Sequence, residues 1–427
     1  MPEIPAEILH EIFRQSLSEP LRAHRAATFP WYLGHICSQW RALFFSMRST
    51  FWSEIEIQVW TAHYFNDPER FKHMHEIVVF FLDCTQGAPF SFTFCVEDDF
   101  VGRDFYGFCS ILMELIERSA QWEEVSLQLE SFVGFLWVAK GRLPLLKKLE
   151  IIEDTYYRPQ RGEIRQSIVA NLFGEAPRLT HVILWDNSPF VQFNWSSLTI
   201  VHFHYTIHRE RVVAALRETI NLVELIIDGY VDGSGDGSIR LPHLECLSVS
   251  GVGLLTTLET PALRRLKIDF SLDLNFTPEQ AGITVSFLRR SEIRLSTLVI
   301  KDIRATFITE ILPFVLEVKE LALIHVPDIA NVFKWLAGTG EQEVQINSLT
   351  VIWDELTSIN PMVVAQELAA LRYMIACQNP RSPSPKTVII QTPGEGQGAA
   401  AKLKLVCRER RIPFGFAEEM PTLVWGI

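Results

Sequence analysis

The sequence predicts an α/β protein in which a short helical head precedes a long array of strands and helices. Two observations support this prediction. The first 50 residues carry apolar residues at helical spacing, whereas from residue 71 onward the pattern apolar, two residues, apolar, one residue, apolar recurs along the chain. Amphipathic helical stretches lie between its copies. Strands that alternate with helices over short links form a parallel sheet.

Composition indicates a folded protein with a large core. The chain has 427 residues, of which 48% are hydrophobic, and a formal net charge of -12. This apolar content excludes global disorder, and the negative charge opposes a nucleic-acid partner. No apolar run approaches the ~18 residues that a membrane span needs, and no basic leader is visible. The scattered cysteines include no Cys-x-x-Cys pair, so we expect a protein of the cytoplasm or nucleus with no membrane partner.

The head begins with a helix predicted over residues 5–13. Pro5 suits a first helical turn, because the amide hydrogen that proline lacks would be unpaired there. Glu7 offsets the positive end of the helix dipole. A second helix is predicted over residues 31–46, again with one apolar face. Two such helices bury too little surface to fold alone, so we expect the head to pack against the rest of the chain or a partner.

Three segments of the head have a recognisable spacing, and they are Ile4-Pro5-x-Glu7-Ile8-Leu9, Ile36-Cys37-x-x-Trp40-Arg41 and Phe51-Trp52-x-x-Ile55. Together they resemble an F-box of the form found in large families of mushroom-forming fungi. The match covers residues 2–57, and we place the first domain at residues 1–57. The sequence departs from the family pattern at Ile4, where leucine is usual, and before Phe51, where a proline is usual.

The F-box resemblance implies a docking face for the Skp-type adaptor of an SCF-type, cullin-RING ubiquitin ligase. Carried across residue by residue, the adaptor-binding side chains would be Pro5, Ile8, Leu9, Ile12, Ile36, Cys37 and Trp40. The residue types agree with this role, because an exposed apolar helical pair is a typical partner-binding element and tryptophan recurs among interface anchors. The alternative is that the two helices only cap the core behind them.

The second predicted domain covers residues 70–427 and contains the recurring strand pattern. Its copies are centred on Ile77, Val125, Leu149, Val182, Val201, Leu225, Leu247, Leu266, Leu298, Leu321 and Leu349, with a worn last copy at Val388. This array resembles irregular leucine-rich repeats, although the Asn of their consensus is matched only at Asn187. The resemblance implies a solenoid with parallel strands inside and helices outside that receives the substrate. Another α/β fold is the alternative.

The alternation within each copy buries one face of the strand and leaves the other open. Our candidates for target binding on the open face are His181, Trp185, His202, His204, Arg265 and Lys267. Trp185 is the strongest anchor candidate. His202 and His204 have no further ligands at a zinc-site spacing, so a solvated pair is the simpler interpretation. Arg265 and Lys267 favour an acidic partner, such as a phosphorylated segment.

Two motifs resemble enzyme motifs only in part. The loop Asp232–Gly237 begins like a calcium loop, but His243 stands where a bidentate glutamate is required. Gly394 and Gly396 lie between a predicted strand and a predicted helix, as in a dinucleotide-binding turn, but too few residues follow for the remaining strand–helix units. We therefore predict no catalytic residue, no metal site and no cofactor.

The sequence thus predicts a non-enzymatic substrate-recognition subunit of an SCF-type ligase. Its head would dock the Skp-type adaptor, and through it a cullin, while the array would hold an unknown protein target. Tethering would raise the effective concentration of that target at the ligase. The main alternative is a repeat-scaffold interaction protein with a helical cap that does not join a ligase. An α/β enzyme with a nucleotide near Gly394 is a third.

Overall fold

The computed structural model describes residues 4–16, 21–23, 33–47, 52–60, 68–97, 105–128, 133–152, 172–185, 192–204, 207–229, 231–232, 237–271, 277–338, 346–352, 361–377, 387–391 and 414–416. The chain divides into two compact units, Met1–Val201 and His202–Ile427. The sequence predicts a domain boundary between residues 57 and 70 from its motifs. The division into compact units falls elsewhere, and the predicted domain boundary stays a prediction.

The first unit starts with three short helices and continues with strands and helices in alternation. Its helices are α1 (Ala6–Ser16), α2 (Leu33–Ile36), α3 (Ser38–Ser46), α4 (Pro68–Thr85) and α5 (Phe105–Glu117). Its strands are β1 (Leu21–Arg22), β2 (Glu54–Trp60), β3 (Phe90–Glu97), β4 (Trp122–Gln128), β5 (Lys148–Ile152) and β6 (His181–Trp185). These strands form a parallel sheet in chain order.

The second unit has the same strand-and-helix character and begins within strand β7 (Ile200–His204). Its further strands are β8 (Ile207–His208), β9 (Glu224–Asp228), β10 (Val231–Asp232), β11 (Ile239–Arg240), β12 (Cys246–Ser250), β13 (Leu258–Glu259), β14 (Arg265–Asp269), β15 (Thr297–Lys301), β16 (Glu320–Ile324), β17 (Ser348–Ile352), β18 (Thr387–Gln391) and β19 (Phe414–Phe416). Its helices are α6 (Arg209–Glu218), α7 (Pro278–Arg290), α8 (Ala305–Ile311), α9 (Ala330–Gly338) and α10 (Pro361–Cys377).

Nine strands of the second unit follow one another in the sheet order β7–β9–β12–β14–β15–β16–β17–β18–β19. Every pairing from β9 onward is parallel. Helices α7 to α10 pack side by side in chain order. The prediction of an α/β fold with a parallel sheet is therefore confirmed.

The recurring apolar pattern predicts strands correctly at every copy from Val125 to Val388. Its first copy, centred on Ile77, is wrong, because those residues lie in helix α4. The buried residues of α4 include Phe71, Met74, Val78 and Phe81, which recur every three or four positions as a helix requires. Apolar residues at positions i, i+3 and i+5 fit both the helix period and the strand period. The apolar residues over a longer segment therefore decide whether a helix or a strand forms.

The head contains a break that the sequence pattern does not predict. Instead of one helix over residues 31–46, α2 ends at Ile36 and α3 begins at Ser38. Cys37 between them has extended backbone angles, and its Sγ accepts a hydrogen bond from the backbone N–H of Trp40 at 3.5 Å. Cysteine thus takes the N-cap place that serine, threonine or aspartate usually fills.

An aromatic cluster joins the head to helix α4 of the first unit. Trp52 is only 1% exposed. Its ring centroid lies 5.2 Å from that of Phe44, 5.5 Å from Phe80 and 6.1 Å from Phe81. The two residues of β1 also pair with Ile55 and Glu56 of β2, which places a segment of the head at the edge of the sheet. The head is therefore packed against the rest of the first unit, as expected.

The predicted open strand face is present on some strands and absent on others. In β4, β5, β6, β7 and β9, buried residues alternate with more exposed ones, as the sequence predicts. In β15, β16 and β17 the prediction is wrong, because both faces are largely buried. Four apolar residues on the face that we expected to be open form a buried cluster, which consists of Val299, Ala322, Ile324 and Ile352.

Two arginines of the second unit hold the short 3-10 helix Gly253–Thr256 and the residues after it. Arg209 is buried, and its guanidinium donates to the Gly253 carbonyl at 2.9 Å and to the Thr256 hydroxyl at 2.8 Å. Arg290 donates to the carbonyls of Leu255 and Leu258 at 2.7 and 2.9 Å. The two side chains thus link helices α6 and α7 to the 3-10 helix and to Leu258 of β13.

Candidate functional site

The head exposes four large aliphatic side chains, which together we call the head surface. They are Ile4 before α1, Ile8 and Ile12 on α1, and Ile36 at the end of α2. Ile8 is 54% exposed although it is a large aliphatic side chain. Ile8 and Ile12 are one helical turn apart, so they lie next to each other on the same side of α1.

The other side of α1 packs within the chain. Leu9 and Phe13 are buried, and the Phe13 ring meets Trp40 of α3 edge to face at a centroid distance of 5.0 Å. Helix α1 therefore has two apolar sides, one that packs on the head and one that is exposed. A helix that only caps a core needs the first side, whereas Ile8 and Ile12 lie on the second.

The predicted adaptor-binding residues differ in accessibility. Those exposed at the surface are Pro5, Ile8, Ile12, Ile36 and Cys37. Trp40 is half-buried against Phe13. Leu9 is only 1% exposed, so its side chain belongs to the packing of the head and not to the head surface. Because Leu9 follows Ile8 directly in one apolar run, the sequence does not tell which of the two faces inward.

The sheet of the first unit presents a second candidate surface, which we call the first-unit strand face. The register between β3 and β4 has an irregularity between Phe90 and Phe92. The face is formed by alternate side chains of β2 to β6, which are Glu54, Glu56, Gln58, Ser91, Thr93, Cys95, Glu124, Ser126, Gln128, Lys148, Glu150, Ile152, His181, Ile183 and Trp185. Neighbouring strands in a sheet are about 4.8 Å apart, so side chains in one row contact one another across the strands.

Carboxylates dominate one half of the first-unit strand face. Glu56 accepts a hydrogen bond from Arg22 at 3.0 Å. Burial, together with the nearby charges of Glu124 and Glu56, raises the pKa of Glu54 above its usual value, and Lys148 opposes this shift. The negative charges of Glu54 and Glu124 therefore repel each other across the sheet.

The predicted target-binding residues of β6 lie at the other end of this face. Trp185 is half-buried, and its indole N–H donates to a carboxylate oxygen of Glu150 at 2.8 Å. His181 is half-buried, and its Nδ1 lies 2.8 Å from the Thr180 hydroxyl. Ile183 lies between them on the strand. Trp185 is thus held in place with part of its ring accessible, as an anchor for a partner would require.

In the second unit, the predicted histidine pair is bound to carboxylates of the neighbouring strand. His202 Nε2 lies 3.1 Å from a carboxylate oxygen of Glu224, and His204 Nδ1 lies 3.7 Å from one of Asp228. The nearby imidazole of His204 lowers the pKa of Asp228. Within the described ranges, no group of three or more His, Cys, Asp or Glu residues could hold a metal ion.

The predicted cationic pair lies on β14 of the same unit. Arg265 is exposed, and its Nε lies 2.7 Å from Cys246 Sγ on β12. Lys267 is half-buried, and its charge lowers the pKa of Asp228. Both cations therefore have polar or charged neighbours within the sheet, which weakens their attraction for a separate acidic partner.

The environments of two cysteines lead to a first prediction. Burial raises the pKa of Cys246 to about 11, whereas Cys37 is exposed on the head. Because only the thiolate reacts with iodoacetamide, we expect Cys37 to be alkylated at least about tenfold faster than Cys246 at mildly alkaline pH. Peptide mapping by mass spectrometry would measure both rates. Equal rates in the folded protein would contradict the packing around Cys246, and equal rates in denaturant are the control.

The acidic half of the first-unit strand face was not predicted from the sequence. Glu54 and Glu56 alternate with the buried Ile55 and Ile57, which is the period-two signal of a half-buried strand. This signal could have identified β2. The proximity of Glu54 on β2 to Glu124 on β4 depends on the order of the strands in the sheet, which the sequence does not reveal.

No helix in the described part of the chain is both long enough and apolar enough to span a membrane. A scan against protein-family models found no match to this chain, and a search of curated proteins found none either.

Proposed function

We propose that this chain is the substrate-recognition subunit of an SCF-type ubiquitin ligase. In this proposal, the head is an F-box that binds a Skp-type adaptor through the head surface, and the adaptor connects it to a cullin. The strands and helices behind it are irregular leucine-rich-repeat-like units that hold a protein target. Such a subunit works in the cytoplasm or nucleus, and it acts by tethering its target and not by bond chemistry.

The exposed isoleucines of α1 carry the proposal. The segments that resemble an F-box include Ile8 and Ile36, and both side chains are exposed. An exposed apolar surface on an otherwise packed head favours a protein partner, because each buried isoleucine side chain contributes about 1.5–3 kcal/mol. The packing of Leu9, Phe13 and Trp40 beneath it supplies a rigid base for such a surface.

Co-purification of the chain with a Skp-type adaptor tests this proposal. We expect the intact protein to bind the adaptor and the Ile8→Asp variant to bind at least about tenfold more weakly, because a charge would replace a buried apolar contact. Ile220→Asp is the matched control, since Ile220 is 59% exposed in the second unit. Leu9→Asp would be a poor test, because Leu9 is buried and its loss would unfold the head.

The possible outcomes separate the candidate functions. Binding that is lost in Ile8→Asp and kept in Ile220→Asp, with unchanged circular dichroism, would support adaptor docking. If the intact chain bound no adaptor, the head would be a cap and the chain a repeat-scaffold interaction protein. Equal binding by the intact chain and Ile8→Asp would exclude the head surface as the contact.

A further inference from the structure

Small side chains lie between longer ones on part of the first-unit strand face, which we call the groove. The small residues are Ser91 and Thr93 on β3 and Ser126 on β4, and the longer Glu124 of β4 stands beside them. Longer side chains flank the groove, with Glu54 and Glu56 on β2 and Lys148 and Glu150 on β5. Three strand spacings separate β2 from β5, so the groove is about 14 Å wide.

Negative charge predominates in this groove. Its carboxylates are Glu54, Glu56, Glu124 and Glu150, whereas Lys148 is the cation within the same strands. Arg22 of β1 binds Glu56, and the indole of Trp185 binds Glu150. Both Glu54 and Glu124 reach solvent, and after partial burial the negative charge of Glu124 is the next cause of the raised pKa of Glu54. A cation placed between them would relieve this repulsion.

The groove continues into an apolar end on β5 and β6. Ile152 and Trp185 are register partners there, and Ile183 lies beside Glu150 in the adjacent row. All three side chains are half-buried, so part of each is accessible. A partner that suits this face therefore combines positive charge at the β2 side with an apolar or aromatic side chain at the β6 side.

We propose that the first-unit strand face binds an extended, lysine- or arginine-bearing segment of a protein. A basic side chain lies between Glu54 and Glu124, and an apolar side chain of the same segment contacts Ile183 and Trp185. The proposal specifies the target side of the proposed function and in that sense rests on it. It also replaces the acidic target that the cations on β14 favoured in the sequence analysis.

Fluorescence anisotropy with labelled peptides tests this proposal on the full-length chain. The probe is a short peptide with alternating lysine and serine residues and one leucine at its end. Its counterparts replace lysine with glutamate, or serine with phosphoserine. We expect the basic peptide to bind and the glutamate peptide not to bind, with affinity that falls as salt rises.

Variants locate the binding site. We expect a Glu54→Gln, Glu124→Gln double variant to bind the basic peptide about five- to tenfold more weakly, in line with the loss of two exposed ion pairs. Glu279→Gln is the matched control, because Glu279 is an exposed glutamate of the second unit. Trp185→Ala should weaken a peptide that carries leucine more than one that carries serine in its place.

The stability of Glu54→Gln gives an independent readout. The folded-state pKa of Glu54 is raised, so protonation favours the folded protein and the ionised form destabilises it at neutral pH. We expect Glu54→Gln to raise the urea midpoint at pH 7, with a gain that shrinks as the pH falls through the pKa of Glu54. A variant that stabilises the fold and weakens peptide binding cannot act through misfolding.

Three results would overturn the proposal. They are no binding of the basic peptide, equal binding of the glutamate or phosphoserine peptide, and unchanged binding by the double variant. Because the assay contains no adaptor, failure here leaves the head surface untouched. Failure of adaptor docking with peptide binding intact would instead indicate an interaction protein outside the ligase.

Discussion

Replacing Trp52 with alanine should lower the free energy of unfolding of the first unit by about 3–5 kcal/mol. Trp52 is 1% exposed, and its ring contacts Phe44, Phe80 and Phe81. Alanine would remove these ring contacts and leave a cavity between the head and helix α4. The cost is large because neighbours held in helices α3 and α4 cannot close the space.

Urea denaturation followed by far-ultraviolet circular dichroism would measure this loss. Trp137→Ala is the matched control, since Trp137 is 48% exposed, and Lys140 lies over its ring with Nζ 4.7 Å from the centroid. We expect that control to cost less than about 1 kcal/mol. A cost for Trp52→Ala as small as the control's would mean that the head does not depend on this cluster.

Arg209→Ala should destabilise the second unit by about 2–3 kcal/mol. Its buried guanidinium donates to the Gly253 carbonyl and the Thr256 hydroxyl, and hydrogen bonds from charged groups are worth about 1.5–3 kcal/mol each. Alanine would remove these donors, and the Gly253 carbonyl would be left with the hydrogen bond that the Thr256 hydroxyl donates at 2.8 Å. Arg209→Lys should recover part of the loss, because lysine keeps the charge but not the planar, two-pronged geometry.

The same denaturation experiment would measure this second loss. Arg294→Ala is the control, because Arg294 is exposed in the same unit, and we expect it to change stability by no more than about 0.5 kcal/mol. If Arg209→Ala and Arg209→Lys matched the Arg294 control, the 3-10 helix Gly253–Thr256 would be stable without its arginine.

Much of the fold could be predicted from the sequence because its signal is local. Apart from the two-residue strands β8, β10, β11 and β13, each strand from β4 to β18 contains two apolar residues at alternate positions, preceded at a fixed distance by a third. The Ile77 copy failed because its triplet also fits a helix, and α4 is decided by apolar residues over its full length. The break at Cys37 was missed because a thiol is an unusual N-cap.

The candidate surfaces were harder to predict because exposure depends on tertiary contacts. Ile8 and Leu9 are adjacent and equally apolar, yet one is exposed and the other buried. Val299 and Ile352 occupy face positions that were predicted to be open, and both are buried. The proximity of Glu54 to Glu124 across the sheet requires the strand order β2–β3–β4, which no local sequence pattern contains.

The pairing of β1 with β2 has a consequence for the solubility of the first unit. Leu21 and Arg22 hydrogen-bond along the outer side of β2, which would otherwise begin the sheet with unpaired amides and carbonyls. Exposed strand edges recruit strands from other molecules and lead to aggregation. The head therefore covers this part of the sheet edge whatever partner it binds. Arg22 adds a charge that discourages pairing with strands of other molecules.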